Sequence, residues 1–343
     1  MHIPDGGEPK SRRGRGVTMQ DVGRMAGVSQ VTVSRALSDP AKVSPDTLRR
    51  ITQAIEATGF VPNALAGALA SRRSGLVTAL VPSITNIIYA SMVQAFGLRM
   101  RDAGYQILLS ETGLTLEAEE ETLARHLSRR PDAVLLTGIH HTARTRRMLL
   151  ASGIPVVEVW DFTETPIDAC VGFDHAATGR AVGDLAADLG HVQAATVCAG
   201  DERAKRRMAG FATQFTRRGG QAVLELGYDD QASLARGRAA LARLLDEMGF
   251  DRGLVFCSSD ILAHGVLIEA QARGLRVPQD IAVVGFGDQE FSDATNPPIS
   301  TVHVDREAFG RAAAEALLSG IEGRRDGPAA IDLGFRILRR GSA

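Results

Sequence analysis

The chain has 343 residues, which is enough for about two or three domains, and its formal net charge is −1. The charge is unevenly distributed, because residues 1–75 hold 11 Lys and Arg against 6 Asp and Glu, whereas the remainder holds 28 against 34. A basic N-terminal segment followed by a mildly acidic remainder is typical of a nucleic-acid-binding module joined to a separate globular domain. Three widely spaced cysteines fit neither a disulfide framework nor a metal site, so we expect a reduced, cytoplasmic protein.

The first residues predict a flexible basic arm over residues 1–16. Lys10, Arg12, Arg13 and Arg15 are not followed by an apolar run, which argues against a signal peptide. Nowhere does the sequence approach the roughly 18 consecutive apolar residues that a membrane span requires, so we expect no membrane partner.

The segment from 17 to 37 predicts two short helices joined by a tight turn. Thr18 can cap the first helix with Asp21 at its third position, Gly27 breaks it, and Ser29 caps the second. One face of each helix is apolar and is expected to point inward, through Val22, Met25 and Ala26 in the first and Val33, Ala36 and Leu37 in the second.

A third helix is predicted from Ser44-Pro45-Asp46, which supply an N-cap, a proline at the first helical position and an acid in the first turn. Gly59 ends this helix. Residues 17–61 therefore predict a three-helix domain.

The outward face of the second helix carries Gln30, Val31, Ser34 and Arg35. Gln can pair bidentately with adenine, Arg with guanine, and Val can pack on a thymine methyl group. This face therefore suits the major groove of double-stranded DNA. A small helical bundle with an ordinary polar surface is the alternative that the pattern alone leaves open.

Residues 62–75 predict a hinge helix or linker. The periodicity favours about two helical turns from Asn63 to Ala70, with Gly67 inside them. A helix this short is not stable in isolation, and the glycine weakens it further. The segment is therefore either a plain linker or a helix that folds only against a partner.

From Leu76 the sequence changes to short apolar strands that alternate with amphipathic helices. The strands are LVTALVP, YQILLSE, DAVLLTG, PVVEVW, CVGF, AATVCAG, AVLEL, GLVFCSS and DIAVVGF. Such alternation predicts parallel sheets built from right-handed crossovers, and the number of strands favours two lobes. Ligands of these folds bind at the carboxyl ends of the strands. The C-terminal segment shows no heptad extension, so a coiled-coil tail is not expected.

These motifs, in this order, resemble the lactose-repressor (LacI) family of bacterial transcription regulators. The resemblance rests on DVGRMAGVSQVTVSRAL, VSPDTLRRITQAIEATGFVPNALAGAL, LVPSITNIIYASM, GLVFCSSDILAHGVL and DIAVVGFGDQEFSD. It implies an all-α helix-turn-helix domain with a hinge helix, followed by a two-lobed α/β core like that of periplasmic binding proteins. The chain would cross between lobes near Asp174, Val302 and Asp332, with lobe 1 formed by about 76–173 and 304–332, and lobe 2 by about 174–302 and the C-terminal segment.

A narrower resemblance is to the gluconate-utilisation repressors of that family. It rests on SGIPVVEVWD, TPIDACVGFD, DERAKRR, LVFCSSD and AIDLGFRIL. It implies a homodimeric repressor that leaves a pseudo-palindromic operator when gluconate, 6-phosphogluconate or 2-ketogluconate binds. The alternatives are a regulator of another carbohydrate pathway, a regulator that uses a corepressor, and a sugar-binding protein without DNA function. An enzyme would need a reactive constellation that the sequence does not show, and no metal or other cofactor is expected.

The family resemblance also assigns DNA contacts by position. It implies that Gln30, Val31 and Arg35 meet bases, and the exposed Ser34 lies in the same stripe. Phosphate contacts are implied for Thr18, Ser29 and Thr32. Asn63 matches the start of the hinge, and Leu69 matches a leucine that wedges between base pairs in the minor groove. Such a wedge costs a few kcal/mol of unstacking, which the extra contacts of the bent duplex offset.

A small anionic polyol needs a cationic partner and several groups that bind hydroxyls. Arg207 stands three residues before a glycine, where the family places a ligand-binding arginine, and Arg203 lies near it in DERAKRRMAG. A guanidinium grips a carboxylate bidentately, so both arginines are candidate effector contacts, although Arg203 could equally be a surface charge. Asp161, after the strand VVEVW, matches a ligand-contacting aspartate of the family.

Four further residues complete the predicted effector site. Tyr89 is the best aromatic candidate from the first lobe. Ser259 and Asp260 begin a helix after GLVFCS, and Asp260 could be its N-cap instead of a ligand contact. Asp288 is the fourth, but Gly287 occupies the position at which the family often has a sugar-binding aspartate, so the ligand is expected to bind differently from a neutral sugar.

Overall fold

The computed structural model describes residues 16–62, 73–200, 202–229 and 231–343. The chain divides into two compact units, Met1–Ser74 and Gly75–Ala343. The predicted basic arm, except for Gly16, and the predicted hinge contacts Asn63 and Leu69 lie outside the described residues. Among the described helices, none is long and apolar enough to cross a membrane.

The described part of the first unit holds three helices, α1 (Met19–Ala26), α2 (Gln30–Ser38) and α3 (Pro45–Thr58), with a 3-10 turn at Pro40–Lys42. Each helix begins at the predicted cap, because Thr18, Ser29 and Ser44 accept backbone N–H bonds through their hydroxyls. Gly27 ends α1 in the left-handed conformation at φ 66°. The core of this unit comprises Val22, Ala26, Val33, Ala36, Ile51, Ala54 and Phe60.

Two residues that were expected to point inward do not. Met25 is 58% exposed and Leu37 is 38% exposed. The inward position that Met25 was expected to share belongs to Gly23, which is buried. A Cβ at Gly23 would lie 2.8 Å from the carbonyl oxygen of Val28, so the turn between α1 and α2 packs directly on this glycine. Helices of about two turns bury only a narrow stripe, which leaves Met25 and Leu37 at its edge.

The second unit contains two six-stranded sheets. The strands are β1 (Leu76–Val81), β2 (Gln106–Glu111), β3 (Ala133–Thr137), β4 (Val156–Val159), β5 (Ala169–Gly172), β6 (Ala194–Ala199), β7 (Leu224–Tyr228), β8 (Gly253–Cys257), β9 (Ile281–Phe286), β10 (Ser300–His303), β11 (Ala329–Asp332) and β12 (Arg336–Leu338). The first sheet has the order β11-β5-β4-β3-β1-β2 and is parallel throughout its described pairs. The second has the order β12-β10-β9-β8-β6-β7, in which β12 runs antiparallel to β10. We call the part of the second unit that is built on the first sheet the first lobe, and the part that is built on the second sheet the second lobe.

Helices cover both sheets. They are α4 (Ile87–Asp102), α5 (Leu116–Leu127), α6 (Ala143–Ser152), α7 (His175–Asp188), α8 (Glu202–Arg217), α9 (Leu234–Glu247), α10 (Asp260–Ala272) and α11 (Arg306–Ile321). The pairs α7 and α8, α4 and α11, and α9 and α10 pack most extensively on each other. Strands β5, β8 and β9 are buried along their whole length and β3 along all but its last residue, as expected for parallel sheets that are covered on both faces.

Within the described part of the second unit, the chain passes between the sheets three times. It leaves the first sheet after β5, returns after β10 and crosses again between β11 and β12. These passages fall at residues 173–174, 304–305 and 333–335. The carboxyl ends of several strands from both sheets therefore border the same space between the lobes.

Candidate functional site

The outward face of α2 is the candidate nucleic-acid interface. Gln30, Ser34 and Arg35 are exposed, and the side chain of Val31 is 67% exposed. The opposite face of α2 is held in the core, which fixes the direction of this stripe. An exposed apolar group between polar and cationic side chains matches the edges of DNA bases, including the thymine methyl group.

The hydroxyls that were predicted to meet phosphates already have roles inside the unit. Ser29 Oγ accepts the backbone N–H of Thr32 at 3.2 Å and lies 2.9 Å from Thr32 Oγ1. Thr18 Oγ1 donates to Asp21 Oδ2 at 2.6 Å. All three hydroxyl groups lie at the N-terminal ends of α1 and α2, where helix N–H groups also favour an anion.

The candidate small-molecule site is a cavity of about 330 Å³ between the two lobes of the second unit. It is bordered by segments that follow β1, β2 and β4 on one side and β6, β8 and β9 on the other. Its described polar lining includes Ser83, Thr85, Asn86, Tyr89, Glu111, His175, Arg203, Arg207, Gln231, Ser258, Ser259 and Gln289.

Two arginines one helical turn apart on α8 face this cavity. Arg203 is 8% exposed and Arg207 is 5% exposed, so neither is an ordinary surface charge. Arg203 Nη2 donates to Tyr89 Oη at 3.0 Å, which joins the second lobe to the first. Arg207 Nη2 donates to the carbonyl oxygen of Ser258 at 3.2 Å, and its guanidinium lies 3.7 Å from the centre of the Phe286 ring.

An aromatic wall closes the cavity on the side of the first lobe. Trp160 has its ring stacked on Phe309 at 5.2 Å and meets Tyr89 edge-on at 6.0 Å. Its backbone φ is 67°, which is rare for a bulky residue and marks a strained position at the end of β4. The indole Nε1 is buried and has no hydrogen-bond partner among the described residues. A rigid apolar surface with a donor at its edge suits the carbon chain and hydroxyls of a polyol.

The structure places Asp161 outside the lining of the main cavity. Its carboxylate is buried, binds the guanidinium of Arg206 and accepts the backbone N–H of Phe162 at 2.9 Å. It borders a smaller neighbouring cavity of about 100 Å³. The expected direct contact between Asp161 and the ligand therefore gains no support.

Asp260 is a structural residue of α10 rather than its cap, which corrects one of the two roles considered for it. Ser259 is the N-cap of this helix, and it also lines the cavity between the lobes. The carboxylate of Asp260 is fully buried and accepts from Thr301 Oγ1 at 2.5 Å, Gln289 N at 2.7 Å and Ser292 Oγ at 2.9 Å. Burial raises the pKa of Asp260 by more than its hydrogen bonds lower that pKa. One carboxylate oxygen thus ties α10 to β10, and the other ties it to the segment after β9.

Asp288 also lies outside the lining of the main cavity. Its carboxylate accepts from Arg340 Nη2 at 2.7 Å and lies 2.8 Å from His303 Nδ1. Burial acts to raise the pKa of Asp288, but Arg340 and His303 outweigh it and lower that pKa. The neighbouring Gly287 has φ 117°, and a Cβ there would lie 3.0 Å from Ile88 Cδ1. An aspartate at this position, as the family often has, would therefore be strained and crowded.

Sequence reasoning missed three residues that line the cavity, Trp160, His175 and Phe286, and it missed Arg206, which binds Asp161 beside the cavity. Trp160 is the single tryptophan of the chain and directly follows a strand, which is a usable signal. Phe286 ends β9 in the same way. The roles of His175 and Arg206 depend on partners 32 and 45 residues away, which no local pattern indicates.

Comparisons with known proteins find a family match in each of the two units. Residues 18–63 match the family described as bacterial regulatory proteins, lacI family, and residues 184–343 match the periplasmic binding protein-like domain. The chain is 36% identical over 327 residues to the HTH-type transcriptional regulator GntR of Pseudomonas aeruginosa, with 95% of each chain covered. It is 33% identical to the regulator of the same name from Escherichia coli, over 94% of this chain and 98% of that one.

A crystal structure of a LacI-family transcriptional regulator from Silicibacter pomeroyi has the same fold. It superposes with a TM-score of 0.89 at 31% identity, over 95% of this chain and 99% of that chain. The similarity thus extends over nearly the full length of the relatives. The chain belongs to the LacI family of bacterial transcriptional regulators.

Proposed function

We propose that this regulator is a homodimeric repressor of sugar-acid catabolic genes, and that a small sugar acid releases it from its operator. The observation that carries the proposal is the pair of buried arginines, Arg203 and Arg207, in the cavity between the lobes. Both guanidinium groups border a cavity large enough for a small molecule, and a guanidinium can grip a carboxylate bidentately. The narrower resemblance to gluconate-utilisation repressors, together with the similarity to the regulators named GntR in Pseudomonas aeruginosa and Escherichia coli, supports a gluconate-type effector.

The lining of the cavity suits one carboxylate and several hydroxyls. Guanidinium groups bind carboxylates through charge-assisted hydrogen bonds, which are about twice as strong as neutral ones. Hydroxyls, amides and the carboxylate of Glu111 supply partners for the hydroxyls of the ligand. Gluconate, 6-phosphogluconate and 2-ketogluconate share this chemistry, and the volume of about 330 Å³ accommodates a six-carbon acid.

On the DNA side, we propose that the exposed stripe of α2 enters the major groove. Gln30, Val31, Ser34 and Arg35 would read bases, and the N-terminal ends of α1 and α2, with Thr18, Ser29 and Thr32, would meet phosphates. The exposure of Gln30, Val31, Ser34 and Arg35 supports the base contacts, and the position of the three hydroxyl groups at helix N-termini supports the phosphate contacts. From the sequence alone, Leu69 is proposed as the minor-groove wedge.

The effector would act by changing how the lobes close. Tyr89 and Arg203 come from different lobes, so a ligand that binds between them favours one lobe arrangement. Coupling of this kind usually amounts to about 1–3 kcal/mol, or about 5–150-fold in affinity for DNA. Affinity for the operator would then fall.

The test is fluorescence anisotropy of a labelled fragment from the upstream region of the chain's own gene, titrated with the protein and then with each of the three acids. Salt is held constant, because phosphate contacts make DNA affinity strongly dependent on salt. Release by one acid is the expected result, and tighter binding would instead identify a corepressor. Tight binding to the DNA fragment that none of the three acids changes would overturn the sugar-acid assignment.

A further inference from the structure

His175 connects the arginine of the effector cavity to the backbone of the other lobe. It is the first residue of α7, directly after the passage from the first lobe, and its side chain is buried. One ring nitrogen, Nδ1, lies 2.9 Å from Arg207 Nη1, and the other, Nε2, lies 2.7 Å from the carbonyl oxygen of Trp160. Trp160 belongs to the first lobe and Arg207 to the second.

The two partners fix the protonation state of the imidazole. A backbone carbonyl only accepts, so His175 Nε2 carries the proton and donates it to Trp160. A guanidinium only donates, so Nδ1 is unprotonated and accepts from Arg207. His175 is therefore neutral and is held as the Nε2–H tautomer. A neutral imidazole can orient the guanidinium of Arg207 without neutralising its positive charge. A carboxylate in the same place would neutralise that charge.

The packing of α7 on α8 sets the distance between His175 and Arg207. A Cβ at Gly179 would lie 1.9 Å from the carbonyl oxygen of Arg207, and a Cβ at Gly210 would lie 2.4 Å from that of Ala176. The two helix backbones thus touch through glycines within about one turn of the His175–Arg207 contact. The Phe286 ring beneath the guanidinium and the Phe173 ring, 4.3 Å from the imidazole, complete the enclosure.

We propose that His175 is a positioning residue for the effector site. It holds Arg207 in the orientation that receives the carboxylate of the effector, and it ties that orientation to the strained end of β4 at Trp160. This inference rests on the proposed function, in which Arg207 binds the carboxylate. It adds a residue that makes the site selective for acids without being required to contact the ligand.

The test compares His175→Asn with His175→Leu, which have nearly the same size. The asparagine amide oxygen can accept from Arg207, whereas leucine cannot. Calorimetric titrations use gluconate and its uncharged counterpart D-glucitol, and the emission of Trp160, the only tryptophan, reports binding in the cavity. His264→Leu, on α10 outside the cavity lining, is the matched control.

We expect His175→Leu to weaken gluconate binding by roughly tenfold or more while D-glucitol binding changes by less than about threefold. His175→Asn should recover most of the gluconate affinity. If His175→Leu does not fold, His175→Phe, which keeps a ring, makes the same comparison. The proposal is overturned if His175→Leu, or His175→Phe in its place, keeps the parent's gluconate affinity or weakens the binding of both ligands equally. If the parent binds none of the three acids, the sugar-acid assignment itself is wrong.

Discussion

The guanidinium of Arg206 binds the carboxylate of Asp161, and this ion pair joins α8 of the second lobe to the end of β4 in the first. Asp161 is almost completely buried, whereas Arg206 is about one-third exposed. The pair lies beside the cavity between the lobes rather than in its lining. Because its two partners belong to different lobes, the pair stabilises the lobe arrangement that the structure shows.

We predict that Asp161 and Arg206 are energetically coupled. Removing one partner of a buried pair leaves a poorly solvated charge, so Asp161→Asn should lower the free energy of unfolding by about 1–3 kcal/mol. Urea unfolding of Asp161→Asn, Arg206→Gln and the double variant measures the coupling. We expect the double variant to be more stable than the sum of the single effects by at least about 0.5 kcal/mol, and additive effects would contradict the role of the pair.

The second prediction concerns the contact between Arg203 and Tyr89. Arg203→Gln removes a charge from the cavity, so we expect gluconate affinity to fall by about 1.5–3 kcal/mol. Tyr89→Phe removes only one hydrogen-bonding hydroxyl and should cost about 0.5–1.5 kcal/mol. Calorimetry on both variants measures which one loses more gluconate affinity, and the exposed Arg311→Gln is the control. Equal losses for the two variants would show that the charge of Arg203 is not used.

Gly179 offers a test of the helix packing that positions Arg207. A methyl group there would overlap the carbonyl oxygen of Arg207, so Gly179→Ala must push α7 and α8 apart. We expect a loss of stability of about 1–3 kcal/mol together with weaker gluconate binding. Gly227→Ala on β7 is the matched control, because a Cβ there meets nothing within 4 Å. A Gly179→Ala protein that unfolds and binds gluconate like the parent would refute the packing argument.

We predict that His141 makes the stability of the first lobe depend on pH. Its Nδ1 lies 2.6 Å from Glu119 Oε1, and its Nε2 lies 3.4 Å from Glu158 Oε1. Burial acts to lower the pKa of His141, but the two carboxylates outweigh it and raise the pKa from 6.5 to about 9. A pKa that is higher in the folded state stabilises the protein fully below the unfolded value of 6.5 and no longer does so once the pH has risen through about 9.

We therefore expect His141→Gln to cost about 1–3 kcal/mol of unfolding free energy near pH 6 and much less near pH 10. Urea unfolding at the two pH values measures the difference, and His264→Gln is the control. A cost that stays the same at both pH values would mean that the charge of His141 does not stabilise the fold.

On the DNA side, Arg35→Ala should weaken binding to the operator by about 1–3 kcal/mol and relax the preference at one base position. Anisotropy with the operator and with single-base variants of it measures both effects. The exposed Arg311→Ala, on α11 of the other unit, is expected to change neither. If Arg35→Ala discriminates operator from scrambled DNA as well as the parent does, the proposed docking of α2 is wrong.

The regular part of this fold could be predicted because its signals are local. Caps at Thr18, Ser29 and Ser44 and alternating apolar runs after Leu76 mark helices and strands through contacts within a few residues. Arg207 was reached through the family resemblance, which places a ligand-binding arginine three residues before a glycine, and Arg203 was a candidate because it lies near Arg207 in the same motif.

The partners of the acidic residues could not be predicted, because they depend on how distant segments meet. Asp161, Asp260 and Asp288 were expected near the ligand, yet each carboxylate is bound by residues of other elements. A carboxylate after a strand has the same local pattern whether it faces a ligand, an arginine or a threonine. The deviations of Met25 and Leu37 have a similar origin, since a small three-helix core buries only part of each apolar face.

The most direct test of the central claim measures acid-induced release from the operator in the parent and in Arg207→Met. Both proteins are bound to the labelled operator at the same salt concentration and titrated with gluconate, 6-phosphogluconate and 2-ketogluconate. The account predicts that at least one acid releases the parent, and that Arg207→Met binds the operator as tightly but needs at least about tenfold more of that acid. Release of both proteins at the same acid concentration, or of neither at any concentration, would contradict it.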